Sequence, residues 1–386
     1  MYPLTDTFTF QAPTNITFGP GAIGQLGQIV APLGQRPLVV SDPGIAAAGI
    51  LQQVLDALGP AVAHVETFTE VEPNPSIETV DRAAAIYRRG DGDCLVAVGG
   101  GSAMDVAKVV AVLVTHGGGV LDYEGIGKVP GPTVPVVCLP TTAGTGSEVT
   151  QFTVITDRGR PFKLTVGSPY VVPTAAVCDP HLTLSMPQPL TAATGMDALT
   201  HGIECYINTV TNPLAKTYAL EAIRLIGRYL RTAYATGKHL EARYHMLLAS
   251  TMAAMAFTRT RLGNVHAMSH PLGARFDVPH GVANAVLLPY VMEWNLIAGM
   301  ETYPQIGEAL GEPVMGLPPR EAAAAAVEAV RQLAADVGIP ERLRDLGVTR
   351  DAIPALADDA MKSGNVLVNP RLTRREDIVH LFERAF

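Results

Sequence analysis

Asp197 and His201 stand four residues apart in TAATGMDALTHGIE, so on a helix both side chains leave the same face. His266 and His270 repeat that spacing in LGNVHAMSHPLGARFDVPHG, and His280 follows ten residues after His270. Asp197, His201, His266 and His280 together offer one carboxylate and three imidazoles, a set suited to Fe2+ or Zn2+, which accept nitrogen and hard oxygen together. Either helical pair taken singly also fits a solvated face. The flanks TAATGM, NVHAMS and GVANAVLLP are small and apolar, which places these histidines inside, where polar groups need partners. Spacing and flanks leave two readings open, a divalent metal site or hydrogen-bonded core histidines.

The elements that must hold these residues change character along the chain. RPLVVSD (36–42), VAHVETF (62–68), CLVAVGG (94–100) and VPVVCLP (134–140) are short apolar runs ending in turn residues, with helix-patterned stretches such as ILQQVLDALG and SIETVDRAAAIYRRG between them. That alternation predicts a parallel sheet covered on both faces, a Rossmann-like α/β domain. KLTVGSPYVVPTAAVCDP (163–180) holds the last strand-like pieces. From Leu190 onward only helical patterns occur, so the chain is divided at DPHLTLSMPQP into an α/β domain (1–184) and an all-helical domain (185–386).

Composition excludes several classes. A length of 386 residues exceeds one ordinary core. The formal net charge of −8, with scattered arginines, argues against a nucleic-acid partner. MYPLTDTFTF lacks the features of a signal peptide, and the most apolar helical run, LLASTMAAMAF (247–257), is too short for a bilayer and reads as a core helix. Cys94, Cys138, Cys178 and Cys205 are far apart, with no CxxC pair, so a reducing cytoplasm is expected. Cys205, four after His201, could share its face and approach a metal, but reads first as a buried structural thiol.

Two glycine motifs compete for a dinucleotide. GPGAIG (19–24) follows the strand-like NITF, and Asp42 closes the next strand. VGGGSAMDVAK (98–108) also ends a buried strand and opens a helix, where Gly100, Gly101 and the amide of Ser102 can approach a pyrophosphate. Asp42 either accepts hydrogen bonds from the adenosine ribose and repels a 2′-phosphate, or starts an Asp-Pro turn.

GMDALTHGIE, HAMSHPLGARFDVPHGVANAVLLP, GGGSAMDVAK and PTTAGTGSEVTQF together resemble the iron-dependent (group III) alcohol dehydrogenases, and the resemblance runs over essentially the whole chain. It implies a metal held by Asp197, His201, His266 and His280, and NAD on the GGGS loop with GPGAIG as a turn. It further implies cofactor contacts from Asp42, Thr141, Thr142, Thr145, Val154 and Lys163, with His270 beside the nicotinamide as a proton relay, and a substrate pocket lined by Phe152, Phe257 and Leu262. A small, mostly apolar pocket suits a short primary alcohol or aldehyde, and a homodimer or higher homo-oligomer is expected. Two variants of the same architecture remain as alternatives, polyol oxidation in the manner of glycerol dehydrogenases and metal-free reduction in the manner of maleylacetate reductases.

Overall fold

The computed structural model of the chain describes residues 7–159, 162–258 and 260–386. Residues 1–6, part of the opening stretch read above for a signal peptide, lie outside them. Contacts divide the chain into two compact units, Ala12–Met186 and Pro187–Phe386 together with the segment up to Gln11. Phe10 accounts for that assignment, stacking on Tyr218 at 5.7 Å between ring centroids.

The first unit is built on a parallel sheet. Its strands are β1 (Asn15–Phe18), β2 (Pro37–Val40), β3 (Glu66–Phe68), β4 (Cys94–Gly99), β6 (Val136–Pro140) and β9 (Ala175–Cys178), in the spatial order β1-β9-β6-β4-β2-β3. Every pairing among them is parallel. Successive side chains enter different cores, as the period of two requires. Leu38, Val40, Leu95 and Ala97 join one buried cluster. Val39, Val96 and Val98 join the other. Three helices cover these faces, α1 (Ile50–Leu58), α2 (Ile77–Arg89) and α3 (Gly101–His116). Burial on both faces is why the central strands read as unbroken apolar runs. A smaller sheet adds β5 (Gly125–Ile126), β7 (Phe152–Asp157) and β8 (Phe162–Gly167), with β7 and β8 antiparallel.

The second unit is helical. Its site-bearing elements are α4 (Gln188–Ile207), α5 (Pro213–Ala235), α6 (Leu240–Phe257), α7 (Asn264–Phe276) and α8 (His280–Asn295). From Thr191 to Tyr206 every residue of α4 except Thr194 is buried, so α4 is enclosed on all sides by its neighbours. No helix among the described residues is long and apolar enough to cross a membrane. All four cysteines are free and buried.

Candidate active site

Three chain segments converge in the helical unit. α4 presents Asp197 and His201 one turn apart, α7 presents His266 from its first turn, and α8 begins at His280. Two close approaches set this arrangement. A Cβ on Gly281 would lie 2.3 Å from the Ala193 carbonyl oxygen, so only glycine lets the start of α8 touch α4. A Cβ on Gly263 would lie 2.8 Å from Glu204 Oε1, so glycine also admits a carboxylate to the start of α7.

The resulting geometry is that of a shared centre. Asp197 Oδ1 is 3.8 Å from His201 Nε2, 3.8 Å from His266 Nε2 and 3.7 Å from His280 Nε2. Those separations are too long for hydrogen bonds. Ligands about 2.1 Å from a tetrahedral ion stand about 3.4 Å apart, so the set closes on an ion with a few tenths of an ångström of movement. Asp197, His201 and His266 are all buried, with ligand atoms within 4.8 Å of one another. The His201 Nδ1 atom is buried without a partner. Burial pushes the Asp197 carboxyl up, but the surrounding imidazoles and the Asn284 amide outweigh it and leave it below its ordinary value. Burial, reinforced by His201 and His270, holds His266 well below the usual imidazole value despite the Asp197 carboxylate, so its nitrogen is a free ligand at neutral pH.

Around the four lie residues to which sequence reasoning gave no role. Glu204 accepts hydrogen bonds from His266 Nδ1 and from the Val265 amide, both at 2.6 Å. It therefore fixes the His266 tautomer whose Nε2 lone pair faces the centre. Burial pushes its carboxyl up to about 7, against the lowering pull of the Val265, Gly263 and His266 amides. Glu204 is seven residues after Asp197 in GMDALTHGIE, on the same helix face, and that spacing was the available signal. Asn284, four after His280, donates to Asp197 Oδ1 at 2.7 Å.

His270 lies close by, its ring centroid 6.3 Å from that of His266 and 5.6 Å from that of His280. Phe257 packs on His201 at 4.4 Å, placing an aromatic wall beside a ligand, and Leu262 is buried. Cys205 meets Thr260 Oγ1 at 3.1 Å, and burial pushes its thiol up to about 12.

The α/β unit gathers a second group of residues at the carboxyl ends of its strands. β4 runs into Gly100, and α3 starts at Gly101. A Cβ on Gly100 would meet Thr142 Cγ2 at 3.3 Å, and one on Gly101 would meet Thr145 Cγ2 at 3.0 Å. The glycine loop thus lies against the threonine loop, and Ser102 follows in the first turn of α3. Thr141 N donates to Gly99 O at 3.0 Å, and the buried Thr142 hydroxyl has no hydrogen-bond partner among the described residues. Asp42 Oδ1 caps the short helix Pro43–Ala47 through Ile45 N at 3.0 Å, while its Oδ2 would lie 3.2 Å from a Cβ on Gly99. The turn reading of Asp42 is thus met by Oδ1, while Oδ2 lies beside the glycine loop. In GPGAIG, Gly19 and Gly21 have φ of 137° and 82°, a tight turn after β1. Lys163 Nζ donates to Asn74 Oδ1 at 2.7 Å.

Buried Lys108 and half-buried Asp105, bridged by Ser147, brace this loop. Lys108 donates to Ser147 Oγ at 2.9 Å and to the Phe152 carbonyl at 3.0 Å. Asp105 accepts from Ser147 Oγ at 2.6 Å and from Val154 N at 2.8 Å. Both stand in GGGSAMDVAK, three residues apart.

Comparison with known proteins decides what this constellation is. Residues 13–180 match the model of iron-containing alcohol dehydrogenases, and residues 191–386 match that of the C-terminal part of the same family. The chain belongs to the iron-containing alcohol dehydrogenases. It is 44% identical over 382 residues to 1,3-propanediol dehydrogenase of Citrobacter freundii, covering 98% of this chain and 99% of that one. It is 37% identical over 377 residues to the NAD-dependent methanol dehydrogenase of Bacillus methanolicus, covering 97% and 99% of the two chains. A crystal structure of 1,3-propanediol oxidoreductase superposes with a TM-score of 0.96 at 43% identity, over 99% of this chain and all of that one. The α/β unit and the helical unit are the two parts of this family's architecture. In this dehydrogenase Asp197, His201 and His266 form the iron site.

Proposed function

We propose that this dehydrogenase interconverts a short primary alcohol, of the size of a three-carbon diol, and its aldehyde, with NAD as hydride carrier. The observation that carries the reading is the inward convergence of the Asp197 carboxylate and three imidazole Nε2 atoms within 3.7–3.8 Å of it. His280 completes the ligand set. When bound, Fe2+ supplies Lewis acidity toward the alcohol oxygen, and NAD supplies or accepts the hydride. Glu204 holds His266 in its ligating tautomer. His270 passes the hydroxyl proton toward solvent, and Phe257 with Leu262 keeps the reacting carbon beside apolar walls.

On the cofactor side, Gly100, Gly101 and Ser102 take the pyrophosphate at the start of α3. Thr141, Thr142, Thr145, Val154 and Lys163 contact the rest of the dinucleotide, and Asp42 selects NAD over NADP. The α/β unit serves as the cofactor domain and the helical unit as the metal domain. Four buried free thiols support a cytoplasmic setting, and a homo-oligomer is the assembly we assign.

The size of the substrate is supported by the likeness to 1,3-propanediol dehydrogenase. The test is a panel of methanol, ethanol, 1,2-propanediol, 1,3-propanediol and glycerol with the corresponding aldehydes, run on Fe2+-loaded enzyme with NAD. The expected ranking puts 1,3-propanediol first in kcat/KM. Preference for the secondary hydroxyl of glycerol, or undiminished turnover after complete metal removal, overturns the assignment.

A further inference from the structure

One nitrogen atom stands among the metal ligands. Asn284 Nδ2 is 2.7 Å from Asp197 Oδ1, 3.0 Å from His266 Nε2 and 3.1 Å from His280 Nε2. Two of those atoms present lone pairs, Asp197 Oδ1 as a carboxylate oxygen and His266 Nε2 because Glu204 takes the hydrogen on its Nδ1, and His280 Nε2 accepts when it is the unprotonated ring nitrogen. An amide NH2 has two hydrogens to share among them and carries a partial positive charge. The same amide's Oδ1 is buried with no hydrogen-bond partner. Reversing the amide to satisfy Oδ1 would set an oxygen against the Asp197 carboxylate, so the network fixes the nitrogen inward.

We propose that the Asn284 amide is an internal stand-in for the cation, holding Asp197, His266 and His280 in ligand positions in the metal-free protein and yielding its place when the ion binds. A buried carboxylate and converging lone pairs without a positive partner would splay or draw in water. Asn284 prevents this, and it does so without a charge that would have to leave the site. Its position also makes it a competitor. An amide hydrogen and a divalent cation cannot both sit against the same lone pairs, so loading the site gives up the hydrogen bonds of Asn284. The position is legible as geometry alone: Asn284 is one turn into α8 from His280 and shares its face.

The inference rests on the metal-site reading, and the experiment separates the two. Full-length wild type, Asn284→Ala and Asn284→Asp are stripped with chelator or loaded with Zn2+, and each form is measured for thermal midpoint and, by competition with a chromophoric chelator, for zinc affinity. A wild type that Zn2+ does not stabilise refutes the metal site itself. If the site holds, Asn284→Ala should lower the midpoint of the stripped protein by several degrees and that of the loaded protein by less than half as much, with zinc affinity tightening about threefold to tenfold. Asn284→Asp, which sets a second carboxylate against Asp197, should destabilise the stripped form further and tighten zinc more than tenfold. A variant that folds only when loaded is the extreme of this result. Equal loss of midpoint in both forms, or weaker zinc binding in both variants, overturns the proposal, because Asn284 would then be ordinary packing or a simple support for the ligands.

Discussion

Replacing Glu204 by glutamine keeps the shape of the side chain and changes one thing, the number of acceptors it can offer. Glu204 receives two buried donors, His266 Nδ1 and the Val265 amide, each at 2.6 Å. Glutamine has one acceptor and one donor, so in either orientation one buried N–H is left facing another. That mismatch costs about 1–3 kcal/mol. The stripped protein can escape it by moving the His266 proton to Nε2, which hydrogen-bonds the glutamine but removes the lone pair the ion needs. The cost therefore falls on the loaded form, and about 1.4 kcal/mol per tenfold converts it to a loss of roughly 5- to 150-fold in metal affinity. Losses of about 10–100-fold are typical when the carboxylate behind a ligating histidine is removed. Chelator competition with Zn2+ measures this directly, and a thermal scan of the stripped form controls for misfolding. Wild-type zinc affinity in a folded Glu204→Gln protein would refute the argument, because His266 would then not depend on Glu204 for its tautomer.

His270→Ala should retain full metal occupancy and lose about 10²–10⁴-fold in turnover, with partial recovery of alcohol oxidation as pH rises and solvent takes over as proton acceptor. His266→Ala should instead lose metal and activity together at every pH; metal content measured beside the pH–rate profile of both variants separates a relay from a ligand. Asp42→Gly should narrow the preference for NAD, mainly by improving NADP binding, at a cost of only a few tenths of a kcal/mol for the lost helix cap. Equal kcat/KM with both cofactors in the unmodified enzyme would remove the role given to Asp42.

Asp197, His201 and His266 stood out as candidates because such residues are chemically rare in apolar surroundings and because four-residue spacing survives translation into a helix, and the family resemblance decided between the two readings left open. Glu204 and Asn284 did not, for a physical reason. α4 is enclosed along most of its length, so it shows no apolar stripe against which a polar residue would stand out. The central strands were readable as apolar runs, since both of their faces are covered. β3 is shorter than the run VAHVETF suggested, spanning only Glu66–Phe68, because it lies at the sheet edge and pairs with β2 alone. Nothing local could reveal that NITF, at the start of the chain, pairs with AAVC some 160 residues later. The position of Asp42 beside the glycine loop likewise depends on β2 and β4 being neighbours, a long-range fact.

Lys108 bears on when the threonine loop becomes ordered. A glycine-rich loop facing a threonine-rich loop would ordinarily stiffen only as the dinucleotide arrives, and each residue fixed at that moment subtracts about 1–2 kcal/mol from the affinity. Here the threonine loop is tethered through Ser147, Thr150 and the Phe152 carbonyl to a lysine with no solvent exposure. Its order is thus set when the α/β unit folds, and the entropy is surrendered then. On the cofactor placement proposed above, NAD meets a surface already in its final form, and the free energy of its contacts goes into holding the nicotinamide and not into shaping the loop around it.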